Sequence, residues 1–292
     1  MEFDDDTGHK TGEALNAQRF QMLEDIAREL SRKLVFPTCF DVTLRLRDIL
    51  SDPDVSLEQI HTAVSVDPMI CSRLLSVANS AANNRGGPPV KDIRAAIQRI
   101  GMKTVRSIAL GVAMKQLLLT KDMVVFGDVS KRLWEHSITS AAACMVIARK
   151  CGRVTPDQAM LAGLVHDLGA SYMLFRAAQY DELRSRPDTA KFLIWKWHES
   201  IGESLLFALG LPEDIAAATR DHDHPRPPPE FPRNLADIIY VGNIMAGGHF
   251  EWLQKDFDAA ERERAALGEP YLSMMDEVKS SADELRSALG PL

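Results

Sequence analysis

A chain of 292 residues, 46% hydrophobic and 26% charged, has the balance of a folded globular protein. Its net charge of −7 argues against the basic footprint that nucleic-acid or anionic-membrane binding requires. No run of about 18 apolar residues occurs, and the acidic start MEFDDDTGHK has no signal-peptide pattern. The expected location is therefore cytoplasmic, and Cys39, Cys71, Cys144 and Cys151, which lack C-x-x-C spacing, read as ordinary thiols.

Residues 1–14 are polar and predict a disordered tail. From there the pattern is helical almost throughout, as in Leu23, Ile26, Ala27 and Leu30. Ser56 with Gln59 forms a capping box, and Asp67-Pro68 supplies an N-cap and a first-turn proline. The run AANNRGGPPV, residues 81–90, predicts a loop. Helices near 92–100 and 102–120 follow, separated by Gly101. The short apolar run Met123 to Phe126 is strand-like but too isolated to build a sheet, and a lobe boundary is placed near residue 125. The second half predicts helices at about 130–150, 156–168, 171–184, 189–209, 212–222 and 234–246. The stiff loop Pro225–Pro232 lies between the last two. Ala259 to Leu289 predicts solvated helices that pack one apolar stripe on the body, and a homodimer contact there is compatible with the pattern. Trp134, Trp195 and Trp197 read as core or lobe-interface residues.

The strongest chemical signal is Gly163-Leu-Val-His166-Asp167-Leu-Gly169, which offers a nitrogen and an oxygen ligand from adjacent positions. His136, His198 and His222 are further candidates. Imidazole and carboxylate together suit iron, manganese or zinc, whereas a lone buried histidine is more often a satisfied core residue. Arg99, Lys103 and Arg106, at i, i+4 and i+7, predict a basic stripe on one helix face. It is read as a docking face for an acidic partner or, more simply, as a solvated surface.

These blocks resemble the HDOD family, the HD-related output domains. Asp67-Pro68, Arg73-Leu74-Leu75, Ala78-Asn79-Ser80 and the segment Ala96 to Gly101 carry the likeness in the first half. Trp134 to Ser137, Gly163 to Gly169, His198-Glu199 with Gly202, Leu211-Pro212-Glu213 and Asp221-His222 carry it in the second. The resemblance implies bacterial origin and an all-α, two-lobe helical bundle over residues 15–292. Its N-terminal lobe would cover about 15–125, and a lobe like an HD-type phosphohydrolase about 126–292. HD hydrolases build their metal shell from a histidine, the H-D dyad and a later aspartate. His136, His166 and Asp167 fall on the first three positions, while Asn243 stands where the aspartate belongs. The second histidine of the usual H-H pair is Asp223. Asp237 lies six residues, or about 9 Å of helix, before Asn243 and is not expected to substitute.

The resemblance thus implies a non-catalytic signal-transduction output module acting through a protein partner, such as a separate sensor or response regulator, or through a small ligand. No cofactor is required by that reading. The alternative is a metal-dependent phosphohydrolase or phosphodiesterase, with iron, manganese or zinc on His136, His166 and Asp167 and with His198 and His222 completing the shell.

Overall fold

The computed structural model describes residues 13–31, 37–50, 52, 54–84, 86–253 and 257–292, and among these no β-strand occurs. The first half runs through α1 (Glu13–Ser31), α2 (Asp41–Leu50), α3 (Leu57–Val64), α4 (Pro68–Ala78), α5 (Ala81–Asn84) and α6 (Ile93–Leu118). The centre of the chain is α7 (Gly127–Cys151), followed by α8 (Pro156–Val165), α9 (Leu168–Ala177), α10 (Asp181–Ser185) and α11 (Pro187–Ala208). Then come α12 (Glu213–Ala218), α13 (Leu235–Met245), α14 (Gly248–Leu253), α15 (Phe257–Ala266) and α16 (Met275–Leu289). The expected tail, residues 1–14, lies outside the described residues except for its last two positions, which open α1. No helix of the described residues is long and apolar enough to cross a membrane.

Local chemistry sets the helix starts. The Ser56 hydroxyl accepts from the Gln59 amide at 3.2 Å, and the Gln59 side chain accepts from the Ser56 amide at 2.8 Å. Asp67 accepts from the Met69 and Ile70 amides at 2.8 and 3.2 Å, with Pro68 as the first helical residue. Each such cap contributes about 1 kcal/mol. The run Met123 to Phe126 falls within a 3-10 helix, Lys121–Phe126, whose Met123 and Phe126 are buried.

Two cores result. One joins Leu46, Ile60, Val64, Leu74 and Ile97, and the larger surrounds α7, which is buried along most of its length and touches α8, α13, α14 and α16. The division does not fall near residue 125. It runs along α6, where Ile108, Ala109 and Val112 face the first core and Leu110, Ala113 and Met114 the second. Met22 and Ile26 of α1 and Phe40 also join the second core, although they precede the first lobe in sequence. Polar clamps hold α1 there: Tyr172 donates to Glu29 at 2.9 Å, Arg176 pairs with Glu29, and Tyr180 donates to Asp25 at 2.7 Å. Trp134 is fully buried, but Trp195 and Trp197 are 45% and 41% exposed, so the core reading holds only for the first.

The basic stripe is not formed. Gly101 takes φ 79° and ψ 160°, kinking α6 between Arg99 and Lys103. Arg99 donates to Ala78 O at 3.2 Å, Asn84 Oδ1 at 2.7 Å and Pro88 O at 3.2 Å, pinning the loop that the sequence places at 81–90. Arg106 donates to the carbonyls of Leu209 and Gly210, just past α11, and Arg47 donates to Ala208 O at 2.8 Å. Two guanidinium groups of the first lobe therefore cap the carbonyl end of α11, where a helix dipole favours positive charge.

Close helix crossings depend on glycine. A Cβ on Gly163 would lie 2.7 Å from Ser140 O and 2.8 Å from Cys144 Sγ, so α8 rests directly on α7. A Cβ on Gly169 would lie 2.0 Å from His198 O and 2.6 Å from Gly202 N, so α9 rests on the backbone of α11. Gly169→Ala should therefore destabilise the fold by about 3 kcal/mol or more, read as a lower urea midpoint. Gly127→Ala, whose Cβ would meet nothing within 4 Å, should stay within about 0.5 kcal/mol of wild type. Burial pushes the Cys144 thiol up to about 12. It should resist thiol reagents in the native protein and react once urea exposes it.

Candidate metal centre

Six segments of the chain converge on one buried cluster. α7 carries His136 and Ser140, and the turn between α8 and α9 carries His166 and Asp167. His198 lies in the middle of α11, while His222 and Asp223 follow α12. Asp221, with φ 61°, is the non-glycine residue with positive φ among those described, and it turns the chain just before His222. α13 contributes Asn243, and α14 contributes His249. His136, His166, Asp167, His198, His222 and Asn243 are each no more than 2% exposed.

The four inner imidazoles share one orientation. Nδ1 faces a backbone carbonyl in each: Ala246 at 3.4 Å for His136, Gly163 at 2.7 Å for His166, Ile194 at 3.0 Å for His198 and Thr219 at 2.7 Å for His222. A carbonyl partner requires Nδ1 to carry the proton, which in a neutral ring leaves Nε2 with a bare lone pair. These nitrogens form two pairs, with His136 and His166 Nε2 3.1 Å apart and His198 and His222 Nε2 3.4 Å apart. Lone pairs so close repel each other unless a proton or a metal ion lies between them.

Asp167 serves both pairs. Its Oδ2 lies 3.6 and 3.4 Å from His136 and His166 Nε2, and its Oδ1 lies 3.4 and 3.3 Å from His198 and His222 Nε2. Neither oxygen receives a well-directed hydrogen bond, although the residue is completely buried. One carboxylate thus bridges two half-sites. Two imidazole nitrogens bound about 2.1 Å from one ion stand roughly 3.0–3.4 Å apart at ordinary coordination angles. The observed spacings match that range, and the donor set suits iron, manganese or zinc. His136, His166 and Asp167 would hold one ion, and Asp167, His198 and His222 a second. An ion bound here would acidify water and neutralise charge on a phosphoryl oxygen.

The half-sites differ in charge. Burial holds His136 below its ordinary pKa and His166 at about 3, so this pair stays neutral and available to a metal. Burial also disfavours the charged form of His222, but Asp223 and Asp167 outweigh it and raise its pKa to about 10. His198 is raised by the same two carboxylates against its burial. The second half-site therefore attracts positive charge even before any ion arrives.

The residues selected from sequence around the H-D dyad, His136, His166, Asp167, His198 and His222, come together. Asn243 is also present, with its buried Oδ1 left without a hydrogen-bond partner among the described residues. Its amide donates to Asp223 Oδ1 at 2.8 Å and to His222 O at 3.2 Å. A second carboxylate faces this half-site from Asp223, whose Oδ2 is 3.4 Å from His198 Nε2. The Asp223 amide is in turn held by Glu199 at 2.9 Å. The sequence gives no reason to select His249, whose Nδ1 lies 3.4 Å from Asp223, or Ser140, whose hydroxyl lies 3.4 Å from His136 Nε2. Neither sits in a motif with the dyad, although Ser140 follows His136 by one helical turn. Trp252, fully buried, sets its ring edge against His198 at 6.0 Å and fills space beside the centre from α14. A cleft of about 10 Å³ remains at the Asp223 side, with Pro225 at its rim.

Protein loaded with manganese and then desalted should hold two ions per chain by elemental analysis. His136→Ala should hold one, and Asp167→Ala none, because only the aspartate serves both half-sites.

The comparisons with known proteins follow this geometry. The model of the HDOD domain matches residues 36–225. An uncharacterized protein of Treponema pallidum (strain Nichols) is 26% identical over 216 residues, which is 68% of this chain and 40% of that protein. This chain therefore spans about two fifths of the relative's length. A Shewanella amazonensis SB2B protein, provisionally named a metal-dependent phosphohydrolase, is 26% identical with a TM-score of 0.63, covering 91% of this chain and 99% of that one. An HDOD domain protein of unknown function from Geobacter sulfurreducens shares the fold, with 20% identity, a TM-score of 0.56 and coverage of 92% and 99%. The all-α fold, with an HD-type second lobe, is common to these structures, and this chain belongs to the HDOD domain family.

Proposed function

We propose that this chain is a regulatory output module that acts by binding and does not turn over a phosphoester, its metal centre serving as a structural and sensing element. The observation that carries this reading is closure. Every inner donor is at least 98% buried, and the cleft of about 10 Å³ has room for roughly one water. A phosphate ester would reach Asp167 only if residues lining that cleft, such as Pro225, Tyr240 and His249, moved apart. The exposed Phe192, Trp195 and Phe207 on α11, with the buried His198 between them in sequence, suit contact with a protein partner such as a separate sensor or response regulator. The acidic balance of the chain leaves nucleic acid a poor fit.

The second reading, a metal-dependent phosphohydrolase, draws support from the two Nε2 pairs and the bridging carboxylate, and from the name of the Shewanella relative. Incubation with bis(p-nitrophenyl) phosphate and with cyclic dinucleotides, in added manganese or iron, separates the two. The regulatory reading expects no turnover above that of the His166→Ala, Asp167→Ala double variant, and metal-dependent turnover lost in that variant would establish the hydrolase. Metal should in either case stabilise the fold. An ion at one hundred times its dissociation constant contributes about 2.7 kcal/mol. Chelation should therefore lower Tm by roughly 5–10 °C for a chain of this size, and by little in Asp167→Ala.

A further inference from the structure

Between the lobes lies a cavity of about 170 Å³ that none of the residues discussed so far explains. Its floor is apolar: Ile108 of α6, Ala141 of α7, Leu164 of α8 and Leu289 of α16. Ser80, Asn83, Thr104, Ser107 and Ser281 add polar groups to the lining, with the Ser80 and Ser107 hydroxyls already donating to backbone carbonyls. Ser281 is 6% exposed, and its hydroxyl has no hydrogen-bond partner among the described residues. The mouth is acidic. Asp157 and Glu284 are exposed and carry no ion pair among the described residues, while Arg149, which also lines the cavity, is directed to Glu277 at 3.9 Å and to the Met145 sulfur at 3.3 Å, leaving the lining with one net negative charge. An apolar chamber of about 150 Å³ holds one benzene ring, so this one accommodates roughly six to ten non-hydrogen atoms.

We propose that this cavity is the binding site of a small amphipathic amine, a single ring or short branched chain seated on the apolar floor, with its ammonium group between Asp157 and Glu284 at the mouth. A carboxylate of the same shape is disfavoured by those two acids, and a larger molecule by the volume. The walls give the site a consequence. Ala141 follows His136 on α7 by five residues, and Leu164 precedes His166 by two, so a ligand that spreads α7 from α8 also displaces the two helices that bring His136 to the H-D dyad. The inference rests on the regulatory reading for its role, since it supplies the input such a module needs, but binding itself does not depend on metal.

Isothermal titration of the full chain with phenethylamine and with phenylacetate tests it. Phenethylamine is expected to saturate one site with a dissociation constant near a millimolar or tighter. Phenylacetate should bind at least tenfold more weakly. Ser281→Phe fills the cavity and should abolish amine binding. The surface pair Asp157→Asn with Glu284→Gln leaves the core untouched and should erase the preference for amine over acid. No saturable binding of the amine to wild type would overturn the proposal. So would equal affinity for the acid, or amine binding that survives both variants. The titration uses metal-free protein, so a chain that holds no metal still reports on the cavity, and a chain that holds two ions but binds no amine keeps its metal centre and loses only this inference.

Discussion

The carboxylate of Asp167, placed between two pairs of inward-facing imidazole nitrogens, is the arrangement on which the second lobe depends. Four histidines and two aspartates are withdrawn from water around it, and burying unpaired charge or unpaired polar groups is strongly unfavourable. The fold offsets that in two ways. Backbone carbonyls from four separate turns fix each ring's proton on Nδ1, and the opposed Nε2 atoms and carboxylate oxygens complement positive charge. The same atoms without a cation would be a cluster of repelling lone pairs beside an unsatisfied anion.

Such an arrangement requires helix axes closer than ordinary side chains permit. Gly163 lets α8 lie on α7, and Gly169 lets α9 lie on α11 at Gly202, so the dyad between them is delivered to both histidine pairs at once. The glycines flanking the H-D dyad are therefore part of the same device as the ligands. Trp252, fully buried, packs its ring against His198 at 6.0 Å and fills space beside the centre.

The first lobe is coupled to this centre through a few directed contacts. Arg47 and Arg106 cap the carbonyl end of α11, the helix that carries His198. α6 divides its faces between the two cores, and Lys115 from its last turn and Trp134 of α7 hold the carbonyls of Leu289 and Gly290 beyond it, at 3.2 Å each. These contacts tie the first lobe directly to α11, α7 and α16.

Much of this was legible in the residues alone. Apolar periodicity, the caps at Ser56 and Asp67, and the kink at Gly101 are local properties, so the all-helical course follows from the sequence. The ordered succession of His136, the dyad, His198 and His222 likewise marks a family and a set of candidate ligands that the fold brings together. Other features depend on which helix meets which. The place of α1 in the second core, the use of Arg99 and Arg106 as tethers, and the exposure of Trp195 are set by packing partners far away in sequence. The roles of Asn243 and Asp223 required the structure for the same reason. A motif register places Asn243 at a ligand position, but only the crossing of α13 with the chain after α12 turns its amide onto Asp223 and leaves that carboxylate facing the histidines. Sequence determines which donors are available, because that is a matter of chemistry. Tertiary structure decides where each one points, because direction is fixed by contacts between segments that the chain itself keeps apart.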